Sequence, residues 1–335
     1  MKLASYKDGS RDGQLVVVSR DLTQAHYASH IANRLQQVLD DWNFLSSQLQ
    51  DVFDALNAGR ARHAFPFDPA QCMAPLPRAY QCVSATAWAS HGTLLRRAAG
   101  LEEPQDRAPE LTQLAGDALL GAQDPLVCAS EALGLDFCAG LALITGDIPQ
   151  ECPSDRALDG VRLLMLSNAL TLRGLAPAPG EPGAAAVQSR CATAFSPVAI
   201  TPDELGEAWG RGRVQLPLQT SWNGRKVGSC DAGADMGHHF GQLIALLAKT
   251  RALRAGSILV AAPLSNAGVE KRGQWSWPKG FNSIAEKRAM ELLQDGQVAT
   301  EYLRFGDTVR IEMKNAAGHS LFGAIDQEVV DLALG

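Results

Sequence analysis

The sequence predicts a β-rich α+β fold, and three observations carry that expectation. Short apolar runs bounded by Gly, Pro, Asn and Asp dominate beyond residue 126. Only a few stretches show helical periodicity. No internal repeat of roughly 20–50 residues is visible. With 335 residues, 46% of them hydrophobic and 20% charged, the chain suits one large domain or two with a substantial core.

Each element follows in order. Lys2 to Tyr6 and Gln14 to Ser19 read as strands on either side of the turn-rich segment 8–13. The second contains Leu15, Val16, Val17 and Val18, a composition that suits a buried strand. Ile31, Leu35, Val38, Leu39, Trp42, Leu45, Leu49, Val52, Phe53 and Leu56 recur at helical spacing and predict one helix, with Gly59 as its stop. His26 and His30 sit four apart just before it. They make a conceivable metal pair, but no third ligand lies nearby in sequence. Residues 64–78 hold four prolines and predict an extended linker between an N-terminal domain, 1–78, and a second domain, 79–335. Residues 101–125 read as a loop or lid with one short helix, and 174–186 as a loop rich in Pro, Gly and Ala.

Strands are expected around Leu141–Ile144, Val161–Leu166, Ser257–Ala262 and Thr308–Met313. Thr201-Pro202-Asp203-Glu204 predicts a helix start with a capping box. Leu218–Trp222 and Arg225–Gly228 predict a hairpin about Asn223-Gly224. Phe240–Leu253 predicts an amphipathic helix, with His238 and His239 at its start read as structural.

Thirty Lys+Arg against 36 Asp+Glu give a formal charge of −6, which argues against an electrostatic nucleic-acid binder. No apolar run reaches the ~18 residues a membrane span needs. The opening MKLASYKDGSRDGQ lacks a signal-peptide apolar region, so a cytoplasmic location is expected. Seven cysteines, none in C-x-x-C spacing, read as free and mostly buried thiols. The dinucleotide, P-loop, nucleophile-elbow and zincin motifs are all absent.

Several stretches in consistent order resemble the fumarylacetoacetate hydrolase family. They are APLPRAYQCV (74–83), VCASEALGLDF (127–137), ITGDIP (144–149), RLLMLSNALTLR (162–173), ATAFSPVAITPDELGEAW (192–209), HFGQLIALLAKTRALRAGSI (239–258), SIAEKRAMELL (283–293) and FGDTVRIEM (305–313). The resemblance implies a small N-terminal domain, a C-terminal domain of rolled mixed β-sheets, and a homodimer. It also implies carboxylate-bound Mg²⁺ and chemistry on small β-diketo or oxo acids, the ion stabilising a developing enolate.

The resemblance places the family's carboxylates at positions that here carry other residues. Its paired acids fall on Cys138 and Gly140, a further Asp on Ala169, and an upstream Asp on Ser84. A hard dication needs anionic oxygens, so no Mg²⁺ or other cofactor is expected. Asp136 remains, as a rescue ligand or a hydrogen-bonded structural acid. His91 matches the family's general base, Glu286 the acid that orients it, and Arg173 an arginine that holds the reacting oxygens. Arg190 stands where members commonly carry Lys, and Ala262-Pro263 where they carry a Gly-Thr turn. Trp275 and Trp277 either line a pocket or anchor a surface loop.

The expected function is a metal-independent enzyme for a small oxo acid, with His91–Glu286 as base and Arg173 and Arg190 as charge stabilisers. Two readings stand against it. One is a non-catalytic pseudoenzyme serving as a binding or scaffold subunit; the other is an ordinary metal-dependent hydrolase with a non-standard ligand set. No nucleic-acid or membrane partner is expected.

Overall fold

The computed structural model describes residues 1–102, 108–117, 119–176 and 186–333. The helices are α1 (Leu35–Asp40), α2 (Trp42–Asn57), α3 (Ala89–Ala98), α4 (Ser154–Leu158), α5 (Ala186–Ser189), α6 (Phe240–Leu247) and α7 (Ile284–Asp295). Everything else regular is strand or 3₁₀ turn, so the fold is α+β and strand-rich.

A twelve-stranded sheet is the spine. From one edge its main path runs Phe65–Pro66, Gln24–Tyr27, Gln14–Val18, Lys2–Tyr6, Ala199–Ile200, Val161–Ala169, Ala139–Thr145, Ser257–Ala261, Gln81–Ala85 and Leu111–Leu114. The central strands Ala139–Thr145 and Ser257–Ala261 are buried at every residue, as sheets covered on both faces require. A second, five-stranded sheet joins Arg225–Asp231, Pro217–Trp222, Thr308–Met313, Ile325–Asp331 and Leu126–Cys128. The Asn223-Gly224 turn closes its hairpin with both residues at positive φ, 50° and 71°, the geometry that turn pair favours.

The small N-terminal domain docks by extending the sheet. Lys2 and Leu3 pair with Ile200 and Ala199 of the C-terminal domain. The buried Lys2 ammonium donates to the Leu321 carbonyl at 2.6 Å. Residues 64–78, expected as an extended linker, are tied to the first strand. Lys7 N–H donates to the Gln71 carbonyl and Met73 N–H to Ser5, zipping this stretch against the first strand.

Other expectations need correction. The stripe from Ile31 to Leu56 is two helices, because Asp41 leaves the helical region at φ −127° and ψ 46°. Within 101–125 the described residues form the strands Leu111–Leu114 and Leu119–Leu120 and no helix. Most of the 174–186 loop lies outside the described residues. Pro202–Ala208 is a 3₁₀ turn broken at Gly206, and the capping box is not made. Thr201 and Glu204 instead receive the Met1 amino group, so a tertiary contact takes the side chains that local pattern assigned to the cap. Helix α6 stops at Leu247, and Leu253 bridges Ile148.

Candidate active site

Helices α3 and α7 pack against each other and carry the two halves of a histidine–carboxylate pair. His91, in the first turn of α3, brings Nδ1 to 3.1 Å from Oε1 of Glu286, in the first turn of α7. Glu286 is buried at 1% exposure and His91 retains 18%. The other Glu286 oxygen accepts the Asn282 N–H at 3.0 Å. With a carboxylate accepting at Nδ1, the Nδ1–H tautomer is fixed and Nε2 carries the basic lone pair.

The start of α7 explains why Glu286 stands where it does. Ser283 is its N-cap, accepting the Glu286 N–H on Oγ at 3.3 Å. The segment Ser283-Ile284-Ala285-Glu286 thus carries the Ser-x-x-Glu signature of a capping box, with Glu286 reaching back to Asn282 rather than to the cap itself. Asn282 is buried too: its Nδ2 donates to Leu264 O at 2.6 Å and its Oδ1 accepts from Thr220 at 2.8 Å.

Asp136 meets the same helix from the sheet side. Fully buried, it accepts the Ile284 N–H on Oδ1 at 2.6 Å and the Ala285 N–H on Oδ2 at 3.2 Å. Arg173 Nε donates to Oδ2 at 2.8 Å, and Arg173 Nη2 lies 3.6 Å from Cys138 Sγ. Burial works against the Arg173 charge, but the Asp136 carboxylate offsets it and holds the guanidinium above its usual pKa. Arg190 Nη1 donates to Thr171 Oγ1 at 3.1 Å, and Thr171 Oγ1 stands 3.8 Å from Cys138 Sγ. Burial pulls Arg190 below the usual arginine value. Thus Arg173 borders Cys138 directly and Arg190 reaches it through Thr171, and Arg173 is tied through Asp136 to the helix that bears Glu286.

The remaining positions lie on neighbouring strands. Ser84 pairs with Val260, Gly140 with Ser167, and Ala169 closes the Val161–Ala169 strand. Cys138 falls in a break between Leu135–Asp136 and Ala139–Thr145, and is completely buried. Burial pushes its thiol up to about 11 and Asp136 adds to this, so it stays protonated at neutral pH. At Gly140 an added Cβ would stand 2.1 Å from the Ala261 carbonyl oxygen and 2.7 Å from Ala262 Cβ. The adjoining backbone therefore fills the space a side chain at 140 would need.

This donor set does not fit a hard divalent ion. Ser84 offers a neutral hydroxyl, Cys138 a protonated thiol, and Gly140 and Ala169 nothing. Asp136 already accepts three donors. Among the described residues no three His, Cys, Asp or Glu side chains gather in a metal-holding group. His26 and His30 stack edge to face at 6.1 Å, with His26 Nε2 on the Arg62 carbonyl.

Trp275 and Trp277 stack at 6.1 Å in the hairpin formed by Val269–Lys271 and Gln274–Ser276. Arg97 of α3 lies over Trp275 at 4.0 Å, and Gln294 of α7 donates to the Trp275 carbonyl. The pair anchors the hairpin across the two helices.

Two family descriptions match the chain: fumarylacetoacetase N-terminal domain 2 over residues 1–78, and fumarylacetoacetate hydrolase C-terminal over 83–330. The chain belongs to the fumarylacetoacetate hydrolase family. Among solved structures, it is similar to a fumarylacetoacetate hydrolase from Exiguobacterium antarcticum, 17% identical with TM-score 0.64. It also resembles a maleylpyruvate hydrolase from Sphingobium sp. SYK-6, solved with manganese(II) and pyruvate, at 16% and 0.64. A 2-hydroxyhepta-2,4-diene-1,7-dioate isomerase from Mycobacterium marinum follows at 14% and 0.59. Each comparison covers 99% of both chains. No curated protein matches by sequence.

Proposed function

We propose that the protein is an acid–base enzyme acting on a small oxo acid without a bound divalent ion. The observation that carries this reading is the His91–Glu286 contact of 3.1 Å, with Arg173 joined to the same helix start through Asp136. In this scheme His91 Nε2 takes a proton from the substrate or from a water. Arg173 and Arg190 hold its carboxylate and the enolate oxygen that forms. A guanidinium supplies one positive charge where the family's ion supplies two, so it stabilises the enolate less. Single proton transfers, as in tautomerisation, ask least of such a site. C–C hydrolysis, decarboxylation and cyclisation ask more. The names of the similar structures, hydrolases and an isomerase of small acids, support the substrate class. The working form is taken to be a cytoplasmic homodimer; light scattering that finds a monomer at micromolar concentration would remove that part.

The test is turnover of a panel of small β-diketo and oxo acids in the presence of a chelator, followed by ultraviolet absorbance and NMR, with His91→Ala as control. Turnover that requires added Mg²⁺ or Mn²⁺, or that His91→Ala leaves intact, sinks the proposal. One observation favours a second reading, a non-catalytic binding or scaffold subunit: the backbone at Ala261 and Ala262 crowds position 140. A panel with no turnover, but with saturable binding of an oxo acid, would support it.

A further inference from the structure

We infer that Asp136 is a positioning residue that couples Arg173 to the His91–Glu286 pair through the first turn of α7. Its backbone sits in a short ladder, Asp136 opposite Thr171 and Leu135 opposite Leu172, which leads directly into Arg173. Its side chain leaves that ladder and caps the start of α7. The two oxygens take the Ile284 and Ala285 amides, and the next amide, that of Glu286, goes to the Ser283 hydroxyl. Three successive donors of the helix start are thereby satisfied, two of them by one buried carboxylate. A carboxylate at a helix N-terminus is favoured by both its orphan amides and its dipole.

Oδ2 is the shared atom. It accepts Ala285 N–H and Arg173 Nε together. Any shift of the Arg173 guanidinium toward a bound anion changes what Oδ2 offers to Ala285. Glu286 is the next residue in the same turn and places its oxygen on His91. The path from anion to base is therefore Arg173, Asp136, the 284–286 turn, Glu286 and His91, with a hydrogen bond or a single peptide step at each stage. Arg173 Nη1 has no protein partner among the described residues, which leaves that edge of the guanidinium for an anion.

The inference rests on the proposed function in naming Arg173 and His91 as working groups, but its test does not use turnover. Proteins labelled with ¹⁵N in backbone and histidine rings would be compared by NMR, with His91→Gln assigning the His91 ring signal. The wild type is expected to show a downfield Nδ1–H proton for His91, the signature of an imidazole donating to a carboxylate. Asp136→Asn is expected to abolish it or move it upfield. An amide in place of the carboxylate brings its own N–H among three donors, so α7 loses a fixed start. Arg173→Gln keeps the carboxylate and is expected to shift the Ile284 and Ala285 amide signals together with that of His91. Glu291→Gln removes a different buried carboxylate from the far part of α7. It is expected to lower the melting temperature while leaving the His91 signal in place. A folded Asp136→Asn protein with an unchanged His91 signal overturns the inference. So does a Glu291→Gln protein that moves this signal equally. Should Asp136→Asn not fold, Arg173→Gln decides: unmoved Ile284, Ala285 and His91 signals would overturn it. Failure of every oxo acid to turn over would leave these signals as they are, so the two ideas fall separately.

Discussion

The two halves of the site are built from different material. The His91–Glu286 half is made by side chains in the first turns of two packed helices. The half around Cys138, Gly140 and Ala169 is made by strand backbone. There the Ala139 N–H donates to Asn282 and its carbonyl accepts from Leu264, and Ala261 closes on Gly140. A helix-borne pair needs only its two side chains and a cap. Strand-borne ligands need a gap between neighbouring chains, and where a residue lacks a side chain the neighbouring backbone occupies that gap. The helical half therefore has the geometry of an acid–base pair, while in the strand half the backbone at 261–262 occupies the space beside position 140.

The largest expected effect is on the helical half. His91→Ala should cut turnover of any accepted substrate by about 10²–10⁴-fold, the range of general acid–base catalysis. Cys138→Ser should change it far less. A comparable loss from Cys138→Ser would mean that the strand half takes part in the chemistry. Gly140→Glu comes next, because its Cβ already overlaps Ala261. Denaturant unfolding should show Gly140→Ala destabilised by about 1–3 kcal/mol, with Glu worse still for the charge it buries. If Gly140→Ala is as stable as wild type, the strand half is looser than its geometry implies. Restoring Cys138→Glu and Ala169→Asp without position 140 is then the gentler way to ask whether metal affinity can be raised.

Smaller effects sharpen the contrast along α7 itself. Glu291 accepts the Ala299 and Thr300 amides and the Thr300 hydroxyl, with Lys287 alongside. Although burial works against it, these bonds hold its carboxyl at about 2, below the ordinary glutamate value of 4.5. A carboxylate depressed in the folded state adds stability above its unfolded pKa and loses it as the pH falls through the folded one. Wild-type stability should therefore decline between about pH 4.5 and 2 by an amount that Glu291→Gln lacks, as acid titration followed by circular dichroism would record. The smallest expected signal is a null one. Calorimetric titration with Mg²⁺ or Mn²⁺ should show no site tighter than about 0.1 mM, and a stoichiometric one would overturn the metal-free proposal.

Much of the framework was legible in the sequence because it depends on local pattern. The Val-rich strand, the Asn223-Gly224 hairpin and the Thr308–Met313 strand lie where periodicity and turn chemistry put them. The elements misread are those that distant contacts decide. Thr201 and Glu204 belong to the Met1 amino group, and Asp41 interrupts a stripe that hydrophobicity alone runs through. In the site, His91 and Glu286 are 195 positions apart and only a family resemblance pairs them. Asp136 is the hydrogen-bonded acid of its two sequence readings, but its partners were not readable, since Ile284 and Ala285 contribute backbone amides with no residue-type signature. Asn282 was missed as well, although the Ser-x-x-Glu pattern beginning at Ser283 marks a helix start beside it.

The close approach of Ala261 to Gly140 also bears on how the site could be rebuilt. A carboxylate at position 140 meets a backbone carbonyl before it can meet a metal, so its packing cost comes ahead of any gain in binding. A ligand at this position would first require the chain at 261–262 to withdraw. The close approach thus sets the order in which this part of the site can be rebuilt: backbone first, side chain second.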